Sequence, residues 1–309
     1  VRFSIAIPQF DYRGFDAAGL RSYLARAEEL GFEGGWVLEQ TVGPAPLLAP
    51  LELLAYCAAC TERLRLGVGV LVTSLHEPLQ LAQSVTAVDR LSHGRLDVGV
   101  APGGGGRQFA AFGVDREHFI SYFTEGLELM KAAWSDEPTV TFHGRYRDVD
   151  GLPFSPKPVQ RPHPPIWFGG LAPKALARAV RLGDSFLGAG SSTTGHFAGA
   201  VAVVREELDK QQKDPARFTI AKRVYLMVDD DAARARERVL DGLHRIYANV
   251  IPGIEAVPVW GTPDDVTRGL REVIDAGAQM LLLNPVGPDV PENREQMERL
   301  AAEVIPQLS

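Results

Sequence analysis

The chain has 309 residues, 45% of them hydrophobic and 23% charged, with a formal net charge of -7. That length and balance can bury a large core, and an acidic chain without a basic run argues against nucleic acid or an anionic membrane as partner. Two cysteines cannot build a disulfide framework, and no apolar run reaches the roughly 18 residues of a membrane helix, so a cytoplasmic setting is expected.

The pattern alternates strand and helix from the start. Phe3–Ile7 reads as a strand and Asp16–Leu30 as a helix, with Asp16 as N-cap and Gly31 just past its end. Gly35–Leu38 and Leu51–Thr61 form the second unit, Leu64–Val72 and Pro78–Leu91 the third. Leu96–Val100 is the fourth strand, followed by a glycine loop and a helix at Ser121–Trp134. Pro138–Pro165 is proline-rich and reads as irregular. The rhythm resumes with strands at Ile166–Phe168, Ser185–Leu187, Phe218–Val228 and Gln279–Leu283. The helices between and after them fall at Lys174–Leu182, His196–Gln212, Asp231–Ala248, Asp264–Ala276 and Glu292–Ile305. Eight strand–helix units predict a (β/α)8 TIM barrel in one domain over 1–309, with an insertion at about 138–165 between strands four and five. An open doubly wound sheet is the competing arrangement, but the dinucleotide fingerprint it would carry is absent.

Barrels of this kind place their chemistry at the carboxyl ends of the strands. Strand two ends in Glu39–Gln40, and strand three runs through Val72–Thr73–Ser74 to His76. Strand four ends in Pro102–Gly103–Gly104–Gly105–Gly106–Arg107, where glycine amides and a guanidinium suit an anion. Gly169–Gly170 leads into a helix N-terminus. Gly190–Ser191–Ser192 suits either a helix cap or a phosphate. Cys57-x-x-Cys60 lies in an apolar helical run and reads as packing rather than a redox or metal pair. No His/Asp/Glu spacing suggests a metal site. An aldolase would want a strand-end lysine, and Lys222, near the start of strand seven, is the only strand lysine.

Several segments together carry a family resemblance: Glu28–Glu29–Leu30–Gly31–Phe32–Glu33, Thr61–Glu62–Arg63–Leu64–Arg65–Leu66–Gly67, Asp89–Arg90–Leu91–Ser92–His93–Gly94–Arg95–Leu96, Gln108–Phe109–Ala110–Ala111–Phe112–Gly113, Ser155–Pro156–Lys157–Pro158–Val159–Gln160 and Pro164–Pro165–Ile166–Trp167–Phe168–Gly169–Gly170. The chain resembles the bacterial luciferase-like superfamily of flavin-dependent oxidoreductases, which includes FMN monooxygenases and coenzyme F420 enzymes. The resemblance implies a redox ring at the carboxyl-terminal mouth, partly covered by the insertion. It also implies electrons from a separate flavin reductase or NAD(P)H, a small-molecule substrate and a homodimer.

It further implies a non-prolyl cis peptide backing the ring, expected between Val72 and Thr73 or one bond later. Relatives often carry a basic residue where this chain has Pro102, and an acid followed by histidine where it has Glu39–Gln40. Gln40 can hydrogen-bond but cannot transfer a proton, which leaves Glu39 as ring contact or base and His76, His118 or His196 as compensating histidines. His143 and His163 would line the pocket if the insertion folds over the mouth. Phe10, Trp36, Phe109 and Phe112 are candidate walls. An FMN monooxygenase is the first reading, F420-dependent hydride transfer the alternative, and a non-catalytic flavin-binding protein the third.

Overall fold

The computed structural model describes residues 1–12, 14–43, 45–104, 107–247 and 252–308, the side chains of 107 and 108 excepted. In chain order the elements are β1 (Arg2–Ala6), α1 (Ala17–Glu29), β2 (Gly34–Val37), α2 (Pro50–Cys60), β3 (Arg65–Val72), α3 (Pro78–Leu91), β4 (Leu96–Ala101), α4 (Arg107–Ala111), α5 (Phe119–Trp134), β5 (Thr139–His143) and β6 (Asp148–Pro153). Then come β7 (Ile166–Gly169), α6 (Pro173–Leu182), β8 (Ser185–Gly188), α7 (Thr194–Lys210), β9 (Thr219–Val228), α8 (Ala232–Tyr247), β10 (Val259–Gly261), α9 (Pro263–Asp275), β11 (Met280–Pro285) and α10 (Val290–Arg299).

Strands β1, β2, β3, β4, β7, β8, β9 and β11 pair in parallel in that order, and β11 pairs back to β1, so the sheet closes as the expected eight-stranded barrel. β10 adds a short parallel rung outside β9. The helix starts follow from local chemistry. Asp16 accepts the Gly19 amide at 2.8 Å, and Thr262 with Asp265 closes a capping box on α9.

The insertion departs from expectation. Rather than being irregular throughout, it holds an antiparallel hairpin, β5 with β6. Apart from Pro138, its prolines fall at or after Pro153, so Thr139–His143 is free to alternate and pair. The turn of the hairpin reaches the starts of α3 and α5, where Tyr146 meets Ser121 at 2.8 Å and Arg147 lies over the Tyr122 ring. It packs on α5, where Glu125 accepts the Arg145 and Tyr146 amides at 2.6 and 2.9 Å.

Apolar side chains form three clusters, one of them joining Tyr225 and Met227 of β9 to Val239 and Leu243 of α8. The largest lies between barrel and helices and includes Val68, Leu71, Val98, Val100, Phe168, Val224 and Leu283. A smaller one inside the barrel joins Trp36, Trp167, Leu187, Ala221, Met280 and Leu282. The two indoles meet edge to face at 5.2 Å between centroids.

The amino-terminal face is bound by buried and half-buried polar staples. Glu28 Oε1 accepts the amides of Glu62, Arg63 and Leu64 at 2.9, 2.6 and 2.7 Å. Asp89 accepts the Val159 and Gln160 amides at 2.6 and 3.1 Å. Arg95 donates to the carbonyls of Leu64 and Thr61 at 2.6 and 2.9 Å. Arg65 grips Asp97 bidentately at 2.7 and 2.8 Å. Burial works against charge on Glu28, but its three amide donors outweigh that and hold the carboxyl below its ordinary range. Its contribution is therefore present above about pH 4.3 and fades as pH falls. Glu28→Ala should cost about 1–2 kcal/mol at neutral pH, and the gap to the parent protein should narrow on acidification; urea denaturation at neutral and acidic pH checks both.

Candidate active site

The mouth of the barrel is shaped first by β3. Inward residues should alternate, as they do for Gly67 and Gly69, with Val68 and Leu71 facing the helices. Between Val68 and Leu71 the register to β4 shifts. Val70 also turns inward there: a Cβ on Gly99 or Gly169 would lie 3.1 or 3.2 Å from its Cγ1. The non-prolyl cis bond lies at this bulge, between Gly69 and Val70. Sequence reading expected it at Val72–Thr73 or the next bond. The irregularity instead sits inside the strand, where Gly67, Gly69 and Gly99 leave room for close backbone approach.

Beyond the bulge, the Val72 amide points to Glu39 Oε2 at 2.5 Å, while Glu39 Oε1 meets His76 Nε2 at 2.6 Å. The Glu39 side chain is 3% exposed and that of His76 31%. An ionised Glu39 accepts the proton on Nε2, which makes Nδ1 the free basic nitrogen. Buried Gln9 braces the same loop, donating to the Leu38 and Leu48 carbonyls at 2.7 and 2.8 Å and accepting the Leu38 amide at 2.9 Å. Glu39, Gln40, Leu47, Leu75, His76 and Gln80 line a recess of about 520 Å³ at this rim. That volume suits a small organic molecule. Gln40 folds back against Gly43 rather than onto the dyad.

The other predicted residues sit at neighbouring strand ends. Thr73 and Ser74 form a single buried turn; Thr73 donates to the Ala101 carbonyl at 3.5 Å, and Ser74 Oγ is buried without a partner among the described residues. Pro102 and Gly103 follow β4, with Gly103 at φ 83°. A Cβ there would strike Val72 and Phe109 at 2.6 and 3.1 Å. Gly104 is open to solvent, and Gly105, Gly106 and the Arg107 side chain lie outside the described residues. Gly169 and Gly170 lead to α6, whose N-cap Ala172 offers no side-chain acceptor. Ser191 stands near the Tyr247 hydroxyl and works against the rise in its pKa. Ser192 donates its hydroxyl to the Ala189 carbonyl at 2.8 Å and so shapes its own turn.

The remaining histidines do not converge. His118 pairs with exposed Asp115 at 2.7 Å, and His196 sits on the first turn of α7, where Thr193 accepts its amide. His143 pairs with Asp148 on the exposed hairpin. His163 lies at the opposite, amino-terminal face, in a charged cavity of about 530 Å³ with Arg2, Arg65 and Asp97. Among the expected walls, Phe109 is buried beside Gly103 and Phe10 stacks on Tyr12 at 5.3 Å. Trp36 belongs to the interior plug, and Phe112 is exposed.

Sequence reading missed the polar group on β9. Arg223 and Tyr225 point inward from that strand. Arg223 Nη2 donates to the Gly69 carbonyl at 2.6 Å, and the Tyr225 and Tyr247 hydroxyls share a 2.6 Å hydrogen bond. Desolvation foremost raises the Tyr247 pKa, and its tyrosine neighbour adds to this. The signal was available: a strand that buries both faces and carries Lys222–Arg223 must send one cation into the barrel. Lys222 takes the other side, against Phe197, where it donates to the Ala189 carbonyl. Burial first, then Arg223, pushes it down to about 7.

The sequence profile described as luciferase-like monooxygenase matches residues 3–258. The chain belongs to the luciferase-like monooxygenase family. It is 28% identical over 256 residues to the uncharacterized protein y4vJ of Sinorhizobium fredii, a match covering 78% of this chain and 72% of that one. Among solved structures it is similar to monooxygenase RslO1 from Streptomyces bottropensis, with TM-score 0.87, 23% identity and full coverage of both chains. It is also similar to an F420-dependent secondary alcohol dehydrogenase in complex with an F420-acetone adduct, with TM-score 0.85, 19% identity and coverage of 100% and 99%. A third is the oxygenating constituent of 3,6-diketocamphane monooxygenase from Pseudomonas putida in complex with FMN, with TM-score 0.79, 17% identity and coverage of 99% and 98%. At such identities the likeness speaks for the fold.

In this luciferase-like chain the two cysteines stand apart from the mouth, on α2. Both are free, and burial pushes the Cys57 thiol up to about 12. Thiol titration of the folded protein at mildly alkaline pH should find Cys57 unreactive until denaturant is added; rapid labelling of both thiols would contradict the packing.

Proposed function

We propose that this chain is a flavin-dependent oxidoreductase that binds FMN at the carboxyl-terminal mouth and uses it, reduced by a separate reductase, with oxygen to monooxygenate a small organic substrate. The observation that carries this reading is the Glu39–His76 pair at the carboxyl ends of β2 and β3, on a barrel that also leaves buried donors unpartnered on carboxyl-end loops and inside β9. Arg223 Nε, Ser74 Oγ and Tyr12 Oη are buried without partners among the described residues. Val70, Val72 and Phe109 supply an apolar wall. A flat ring edged with carbonyls takes this mixture of donors and apolar surface.

When bound, the cofactor supplies the electrons, and its chemistry is its own. The chain's share is positional. Glu39 has one oxygen fixed by the Val72 amide and the other by His76. The imidazole is thereby held in one orientation, with Nδ1 left to take or return a substrate proton. Leu47, Leu48, Leu51, Leu71 and Leu75 give one part of the adjoining recess an apolar lining, and Gln40, Thr41, Glu52, Glu77 and Gln80 a polar one.

The dyad also favours a second reading, F420-dependent hydride transfer. Moving a hydride to or from an alcohol carbon requires a matching proton movement at its oxygen, which a carboxylate-oriented imidazole is suited to perform.

Fluorescence titration of the apoprotein with FMN and with F420 separates the two. FMN quenching with little F420 binding supports the first reading, the converse supports the second, and binding of neither removes both. With the preferred cofactor, His76→Asn should lower turnover by about 10²–10⁴-fold while leaving cofactor affinity within a few-fold. Unchanged turnover would take His76 out of the chemistry.

A further inference from the structure

We propose that the cavity at the amino-terminal foot of the barrel is a second ligand site, separate from the mouth, that takes a small organic carboxylate. It stands on the foot alone and does not depend on which cofactor the mouth binds. The cavity measures about 530 Å³, a volume that suits a small organic molecule. Trp36, Trp167 and Met280 form its ceiling, and all three belong to the apolar cluster inside the barrel. Arg65, Asp97 and Arg217 are among its polar walls.

The two indoles of the ceiling differ in one respect. Trp167 donates its Nε1–H to Asp97 Oδ1 at 3.1 Å. Trp36 is 2% exposed, yet its Nε1–H has no acceptor among the described residues. An indole N–H withdrawn from water ordinarily finds one. Two glycines show which way this donor faces. A Cβ on Gly69, higher in the barrel, would lie 3.3 Å from Trp36 Cε3, whereas a Cβ on Gly34 would lie 3.3 Å from Nε1. Gly34 stands in register with Ser4 and Arg65 at the foot. The ring therefore turns its donor edge down into the cavity.

The charges at the foot leave donors over as well. Glu33 Oε1 accepts from Arg2 Nη1 at 2.7 Å, and Asp97 accepts from Nε and Nη2 of Arg65 at 2.7 and 2.8 Å. Half-exposed Asp184 accepts the Ile166 amide at 2.8 Å, and Glu33 Oε2 is buried without a partner. Against these, Arg65 keeps Nη1 unengaged among the described residues. Arg217, exposed on the wall just ahead of β9, makes neither ion pair nor hydrogen bond among them. An indole N–H, one guanidinium nitrogen and a whole unpaired arginine thus line a single hollow. Residues at this end of a barrel ordinarily serve stability, and unmated donors contribute none. A planar carboxylate answers them: it pairs with a guanidinium edge and has a second lone pair to offer the indole. Its organic body then rests against the apolar ceiling.

The test follows the indole N–H resonances of the nitrogen-15-labelled chain as benzoate is added. The Trp36 line is assigned by its loss in Trp36→Phe or, should that variant misfold, by its Overhauser contact with Gly34. Benzoate should bind saturably, with a dissociation constant of about 1 mM or below, and shift the Trp36 line while those of Trp134 and Trp260 stay in place. Arg217→Gln, a change at an exposed residue, should weaken binding about tenfold or more. Benzamide, of the same shape without the charge, and inorganic phosphate, charged without the organic body, should each bind at least about tenfold more weakly than benzoate. A Trp36 line that benzoate does not move would overturn the proposal. So would an affinity unchanged in Arg217→Gln, which places benzoate away from the foot. Equal binding of benzamide or of phosphate would overturn the assignment to an organic carboxylate. None of these outcomes bears on the cofactor at the mouth.

Discussion

The mouth of this barrel depends on one break in alternation. Had β3 continued as a regular strand, Val70 would face the helices and the residues after it would be turned by one place. The bulge between Val68 and Leu71 instead sends Gly69 and Val70 inward together. Three features of the rim follow. The Gly69 carbonyl faces Arg223, the Val70 side chain covers Gly99 and Gly169, and the Val72 amide meets Glu39. The last of these fixes a carboxylate that in turn fixes an imidazole. Elements distant in sequence are thus aligned by a local irregularity.

The architecture was largely legible because it is written in periodicity. The strand–helix rhythm located the eight barrel strands, and the buried strands read as apolar runs, as parallel sheets demand. Three of the motifs that carry the family resemblance turn out to be structural clasps. Glu28 binds the Glu62–Leu64 turn, Asp89 binds Val159 and Gln160, and Arg95 ties the Thr61 turn to β3. All belong to the amino-terminal face, where barrel residues serve stability. These motifs are readable from sequence because each needs one residue type at one spacing.

The rim is less legible, for a physical reason. Its contacts join loops whose paths depend on the whole fold. Glu39 and His76 could be named singly, but their 2.6 Å contact requires the β3 bulge and the turn at Thr73–Leu75. The short β10 and the hairpin of β5 and β6 escaped notice because each is brief and bordered by proline or glycine. Arg223 escaped for a different reason. Lys222 and Arg223 stand side by side on a strand buried on both faces, and only the closed sheet shows that Arg223 is the one inside the barrel.

The paired indoles of Trp36 and Trp167 have a consequence for traffic through the molecule. With Leu187, Met280 and Leu282 they form a dry septum across the barrel axis. Arg65 and Asp97 lie on one side of it, Arg223 on the other. A water file needs polar atoms as stepping stones, and this septum lends it few. The barrel is therefore a cup rather than a tube: packed apolar side chains part the charged cavity at its foot from the strand ends at its lip.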